Sequence, residues 1–187
     1  MGVQYEAIRC EVERVRGFIT TDLDVIVNQD TGGNYLAASL ITCACDAVSH
    51  LKYGRRNSGE AFFAEVLPDC WKPVARGIYG ALRDGIVHTY ETKTIVAGSR
   101  RLEIVISWRE RPHMHLSQSG DHIYVNVYQL AQDLKRALLR FEADLKVHEG
   151  LRNTFYDAMQ KDREYHVPRA DWQAWDSALA QAPKAVI

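Results

Sequence analysis

Leu102-Glu103-Ile104-Val105-Ile106-Ser107-Trp108 is the stretch where the chain changes its period. Leu102, Ile104, Ile106 and Trp108 alternate with Glu103, Val105 and Ser107, the spacing of a strand with one face toward a core. Ile123, Val125 and Val127 repeat that spacing beyond Ser117-Gln118-Ser119-Gly120-Asp121, a run of turn-forming residues. Gly98-Ser99 can turn a shorter strand near 94–97 onto the first. These observations predict a small antiparallel β-meander at about 94–127.

On both sides of this segment the period is helical. Upstream, Ile8, Val12, Val15, Ile19, Leu23 and Ile26 recur at three and four residues, predicting a long amphipathic helix over about 3–29. Asp30-Thr31-Gly32-Gly33 stops it. A second helix carries Leu36, Leu40, Cys43, Ala44, Ala47, Val48 and Leu51 on one stripe and ends at Gly54. A short helix near 61–67 leads to a third long one over about 71–90, with Asp69 as its N-cap. Downstream, Leu130, Leu134, Leu138, Phe141 and Leu145 mark a fourth helix that continues to about Glu164. Pro168 then precedes a short helix at about 168–181 with Trp172 and Trp175. The expected architecture is mainly α: a four-helix up-down bundle, with the meander inserted between helices three and four.

With 187 residues, 47% of them hydrophobic and 25% charged, the chain suits one globular domain spanning 1–187. Lys plus Arg number 23 against 24 Asp plus Glu, giving a net charge of -1. That balance excludes a polybasic nucleic-acid binder while allowing a local basic cleft. No apolar run approaches the roughly 18 residues of a membrane span. The N-terminus lacks the basic-then-apolar order of a secretion signal, so a cytoplasmic protein is expected. Cys43 and Cys45 point about 200° apart on a helix. With Cys10 and Cys70 they are expected as reduced thiols, mostly core filler.

The chemistry-bearing stretch is Leu82-Arg83-Asp84-Gly85-Ile86-Val87-His88-Thr89-Tyr90, in the second half of the third helix. Arg offers a planar fork of donors suited to a phosphate. His carries protons near neutral pH. Tyr90 adds a hydroxyl seven residues from Arg83, on nearly the same helical face. Such groups serve attack on a phosphodiester by a neighbouring 2′-hydroxyl, a scheme that requires no metal or other cofactor.

An Arg, four residues, a His, one residue and a Tyr in the third helix of a four-helix bundle resembles the HEPN (higher eukaryotes and prokaryotes nucleotide-binding) superfamily. The resemblance covers about 1–93 and 127–164, and Asp84 occupies the polar place that commonly follows the motif Arg. It implies a metal-independent endoribonuclease acting as a toxin, in defence or in RNA processing, with Arg83 and His88 as catalytic residues and RNA as substrate. The version with Tyr90 is similar to toxins paired with nucleotidyltransferase-type antitoxins, in which that Tyr is the modification target. The resemblance also implies a homodimer whose motif helices share one cleft. Residues five apart on an ideal helix diverge by about 140°, and a two-fold dimer through the third helix would bring His88 of one chain near Arg83 of the other. The alternative is a non-catalytic module that binds a nucleotide or a protein with the same face.

Other residues leave two readings each. Asp46, on the second helix, either orients the motif Arg or His or pairs with some solvated cation. Lys52, Arg55 and Arg56 form either a phosphate-binding cluster or a solvated helix end. His113 and His115 with His122 are either a chelating set on neighbouring strands or surface histidines. Trp108, Trp172 and Trp175 either stack nucleobases or serve as core and interface material.

Overall fold

The computed structural model describes residues 3–29, 32–55, 58–89, 91–108, 112–161 and 168–181. Helix α1 (Val3–Val27) buries Ile8, Val12, Ile19, Leu23 and Val27, close to the stripe read from its spacing. Helix α2 (Asn34–Tyr53) lies at the centre of the molecule. It touches α1, α3 (Gly59–Val66), α4 (Ala75–Thr89), α5 (Val127–Val147) and α6 (Glu149–Lys161).

So many neighbours are possible because α2's buried positions are mostly small: Ala37, Ala38, Thr42, Ala44, Cys45 and Ser49, with Ile41 and Val48. This rotates the core face away from the expected stripe, leaving Leu36 54% exposed and Cys43 on the surface. The four cysteines are free thiols, but only Cys45 is core material; Cys10, Cys43 and Cys70 are exposed. Gly54 ends α2 at φ 64°, where its N–H bonds the His50 carbonyl, a left-handed cap that glycine adopts without penalty.

The expected fourth helix is two helices. Asn126 caps α5, its side-chain oxygen accepting from the Gln129 N–H at 3.1 Å, and Leu130, Leu134, Leu138, Phe141 and Leu145 are buried as the spacing requires. At His148 the backbone turns extended (φ -109°, ψ 106°), and α6 returns Phe155, Ala158 and Met159 to the core against α1 and α2. The third helix also begins differently. Residues Asp69–Val74, with Pro73 inside, form a 3₁₀ segment that runs into α4. Pro68 precedes this segment, and Asp69 pairs with Lys72 rather than capping a helix.

The inserted sheet is mixed, not an antiparallel meander. Strands β1 (Ile95–Ala97) and β2 (Arg100–Ser107) form the expected hairpin, and Ile104 faces the core with Leu102, Ile106 and Trp108 packed against it. Strand β4 (His122–Asn126) then runs parallel to β2, Ile104 opposite Ile123 and Ile106 opposite Val125. The turn at Ser117–Asp121 is real, but it joins β4 to the two-residue β3 (His115–Leu116), giving the order β1-β2-β4-β3. Because β3 takes the antiparallel place beside β4, the chain enters β4 in the same direction as β2.

The C-terminal segment pairs a 3₁₀ turn at Arg169–Asp171 with α7 (Trp172–Gln181), and every described residue there is exposed.

Candidate functional site

Helix α4 presents two faces set by its spacing. Ala75, Ile78, Tyr79, Ala81, Leu82 and Ile86 are buried, which leaves Arg76, Gly80, Arg83, Asp84 and His88 on the outward side. Arg83 is half-buried and held from two directions. Its Nε lies 3.5 Å from Asp46 Oδ2 on α2, and its Nη1 donates to Asp84 Oδ1 at 3.2 Å. Asp84 first, and Asp46 more weakly, hold the guanidinium's pKa above its ordinary value. Lys93 Nζ stands 4.0 Å from the other Asp84 oxygen.

Two glycines make this arrangement possible. The chain leaving α4 folds back across Gly85, and the Lys93 N–H bonds the Ala81 carbonyl at 3.0 Å. On the other side, Ser49 Oγ donates to the Ser58 carbonyl at 2.5 Å, pinning the start of α3 to α2. Gly59 then meets the Tyr79 hydroxyl and Asp46 Oδ1 directly, so a side chain there would displace both.

Asp46, Glu60, Arg76, Tyr79, Gly80, Arg83 and Asp84 enclose an open cavity of about 290 Å³. Tyr79 was not apparent in the sequence as a site residue, because its position on the apolar stripe reads as core. Its side chain is indeed 7% exposed, and its buried hydroxyl lies against the Asp46 carboxylate beside Gly59. Burial, and then the Asp46 carboxylate beside it, push the phenol above its ordinary range. It therefore remains a donor at any working pH. Arg76, seven residues before Arg83, shares that face of α4 within about 20°, a spacing that could have signalled it.

The structure thus brings Arg83, Asp84 and Asp46 together. His88 sits exposed in the last turn of α4, and no hydrogen bond or ion pair joins it to Arg83. Tyr90 lies outside the described residues. Of the basic cluster, Lys52 turns inward to Glu65, Arg55 is exposed, and Arg56 lies outside the described residues.

The three histidines of the sheet region do not converge. Met114, in the left-handed region at φ 54°, breaks the alternation between His113 and His115. His115 is exposed, its Nδ1 2.7 Å from the His113 carbonyl, while His122 sits between Asp121 and Glu103. No group of three His, Cys, Asp or Glu residues among those described is arranged to hold a metal ion. The Trp71 Nε1–H holds the Met114 carbonyl at 2.9 Å.

His113 has a structural consequence instead. Its side chain is 9% exposed with Nε2 3.3 Å from Asp133 Oδ2, and that carboxylate is also engaged by Arg136. Burial pushes the His113 pKa down to about 4. The folded protein thus holds His113 neutral, whereas the unfolded chain takes up a proton below about pH 6.5. Stability is therefore fully present above pH 6.5 and is lost toward pH 4, by about 1 kcal/mol per pH unit. Urea midpoints of the wild type should fall more steeply over this window than those of His113→Gln. Parallel curves for the two proteins would refute this account.

Compared with known proteins, the chain matches no family model, no curated protein and no solved structure. No described helix is long and apolar enough to cross a membrane.

Proposed function

We propose that the protein is a metal-independent endoribonuclease of the HEPN type, acting in RNA processing, in defence or as a toxin. The observation that carries this reading is Arg83, held by Asp46 and Asp84 at an open cavity, with exposed His88 on the same helix. Arg83 holds the scissile phosphate and stabilises the charge that builds on it. The ribose 2′-hydroxyl attacks phosphorus and the bond to the 5′-oxygen breaks, giving a 2′,3′-cyclic phosphate and a free 5′-hydroxyl. One imidazole accepts the 2′ proton and another gives a proton to the departing oxygen.

That division needs two histidines and a walled cleft, whereas α4 presents its outer face to solvent. A homodimer through α4, in the manner of a HEPN bundle, supplies both, with His88 of one protomer working near Arg83 of its partner. Tyr90 is the residue a nucleotidyltransferase-type antitoxin would modify in this reading. One feature favours a non-catalytic binding module instead: Arg83 already engages two carboxylates, with which a phosphate must compete.

Incubation with single-stranded RNA in the presence of a chelator decides between them. Cleavage leaving cyclic-phosphate ends, reduced at least ~100-fold in both Arg83→Ala and His88→Ala, is the expected result. RNA that is bound and left intact would establish the module. Sedimentation is expected to show a dimer at micromolar concentration.

A further inference from the structure

Helix α7 is ten residues long, and helices shorter than about 12 residues hold poorly in water unless one face is packed. Its contacts run back to the 3₁₀ turn before it, and every described residue of the segment is exposed. Trp175 is 53% exposed and Leu179 63%, with exposed Trp172 one turn earlier. At spacings of three and four these side chains share one side of the helix. Asp171 and Asp176 border that side, one on each flank. Indoles open to water between two carboxylates suit an apolar surface with a cationic rim.

The outward face of α5 has that character. Leu139, Ala143 and Val147 follow at four-residue intervals and are exposed, Val147 to 71%, although α5 buries its opposite side. Arg140 borders this stripe on one flank and Lys146 on the other, with Arg136 at its start. All three cations are exposed, whereas the acidic residues of α5 (Asp133, Glu142 and Asp144) are not. Arg136 pairs with Asp133 and Lys146 with Glu142, while the Arg140 guanidinium donates to the Glu65 carbonyl, a neutral oxygen. The stripe runs about 12 Å along α5, and Trp172 to Leu179 spans about 10 Å of α7. Phe18 and Val25 on α1 are exposed as well, but exposed Asp22 lies between them and would confront the α7 carboxylates.

We propose that α7 of one protomer docks on the outward face of α5 in a second copy, and that the exchange is reciprocal. Within its own chain α7 keeps its apolar side exposed, so the matching face is met in the partner. Reciprocal exchange makes two identical contacts about a two-fold axis and closes the assembly. In each contact the indoles cover Leu139 and Val147, and Asp171 and Asp176 reach cations at the rim. The same carboxylates repel RNA phosphates and anionic lipid, so neither is the occupant. Neither Arg83 nor His88 takes part, and the contact stands apart from both the ribonuclease reading and a dimer through α4.

Sedimentation equilibrium of the full chain at micromolar concentrations tests the exchange. Trp175→Ala combined with Leu179→Ala is expected to weaken association about 30-fold, since aromatic anchors dominate such contacts. A charge swap gives the sharper readout. One variant carries Asp171→Lys and Asp176→Lys; the other carries Arg140→Glu and Lys146→Glu. Each meets itself with like charge against like and should associate at least about tenfold more weakly than the wild type. Mixed in equal amounts, the two should regain near-wild-type affinity, because the reversed α7 of one meets the reversed α5 of the other. Circular dichroism confirms that every variant is folded. A mixture that associates no better than its components would overturn the exchange, whether all match the wild type, as a dimer through α4 predicts, or all are monomeric. So would a wild type that stays monomeric, whether or not it binds anionic phospholipid vesicles.

Discussion

Replacing Gly85 by alanine is expected to destabilise the protein by about 2 kcal/mol, while the same change at Gly77 stabilises it by about 1 kcal/mol. Both glycines lie inside α4, where alanine is the better helix former. They differ in what surrounds them. A Cβ on Gly85 would overlap the Glu91 carbonyl oxygen and lie 2.8 Å from the Lys93 nitrogen. Both are backbone atoms, which cannot swing aside as a side-chain tip does. Relief requires residues 91–93 to move off the helix, and that breaks the Lys93–Ala81 hydrogen bond. It also draws Lys93 away from Asp84 and loosens the hold on Arg83. Gly77 has open space before it and gains only the helix preference. Urea unfolding of the two variants checks the opposite signs; equal midpoints would show that the chain does not cross α4 at Gly85.

Lys52→Ala is expected to cost about 3 kcal/mol, an unusual sum for a lysine. Lys52 is one helical turn past the buried Ser49, and its side chain is only 12% exposed. Its ammonium lies 2.7 Å from each oxygen of Glu65, to which the Tyr53 hydroxyl also bonds. The same ammonium lies 5.8 Å from the ring centre of Phe62 and 5.5 Å from that of Phe141, favourable for a cation over an aromatic face. Truncation removes the stem from the core and leaves the Glu65 carboxylate half-buried with its cation gone. Lys52→Met restores the packing but not the charge and should recover part of the loss. Adding Glu65→Leu should recover more, because the stranded carboxylate goes with it. Denaturation midpoints of the three variants in that order test the argument. An alanine variant as stable as the wild type would refute it.

The helices whose cores are built from Leu, Ile and Val could be read in advance, since large apolar residues at three and four mark the buried face plainly. α1 and α5 are of this kind. α2 is not: Ala, Ser, Thr and Cys face inward so that several helices can approach, and hydrophobicity patterns give such residues little weight. The break at His148 has no proline to announce it, and the length of the apolar pattern hid two helices behind one. β2 was visible through its alternation, but its parallel partner depends on two-residue β3, too short to have a period. The candidate site divides similarly. Arg83, Asp84 and Asp46 stand out as charges on helical stripes. Tyr79 does not, because a core aromatic and a buried donor look the same until the position of the hydroxyl is known.

The central place of α2 also bears on motion. A helix enclosed by five others exposes its amides only when much of the fold opens, so the α2 backbone around Asp46 should exchange hydrogen at rates near those of global unfolding. His88 belongs to the final turn of α4, at an exposed helix end, where fraying releases amides far more readily. The carboxylate that steadies Arg83 therefore sits on the stiffest element of the molecule, and the imidazole on one of its looser ends. A ligand that binds this face finds the charged residues already in place and has only the His88 imidazole left to arrest.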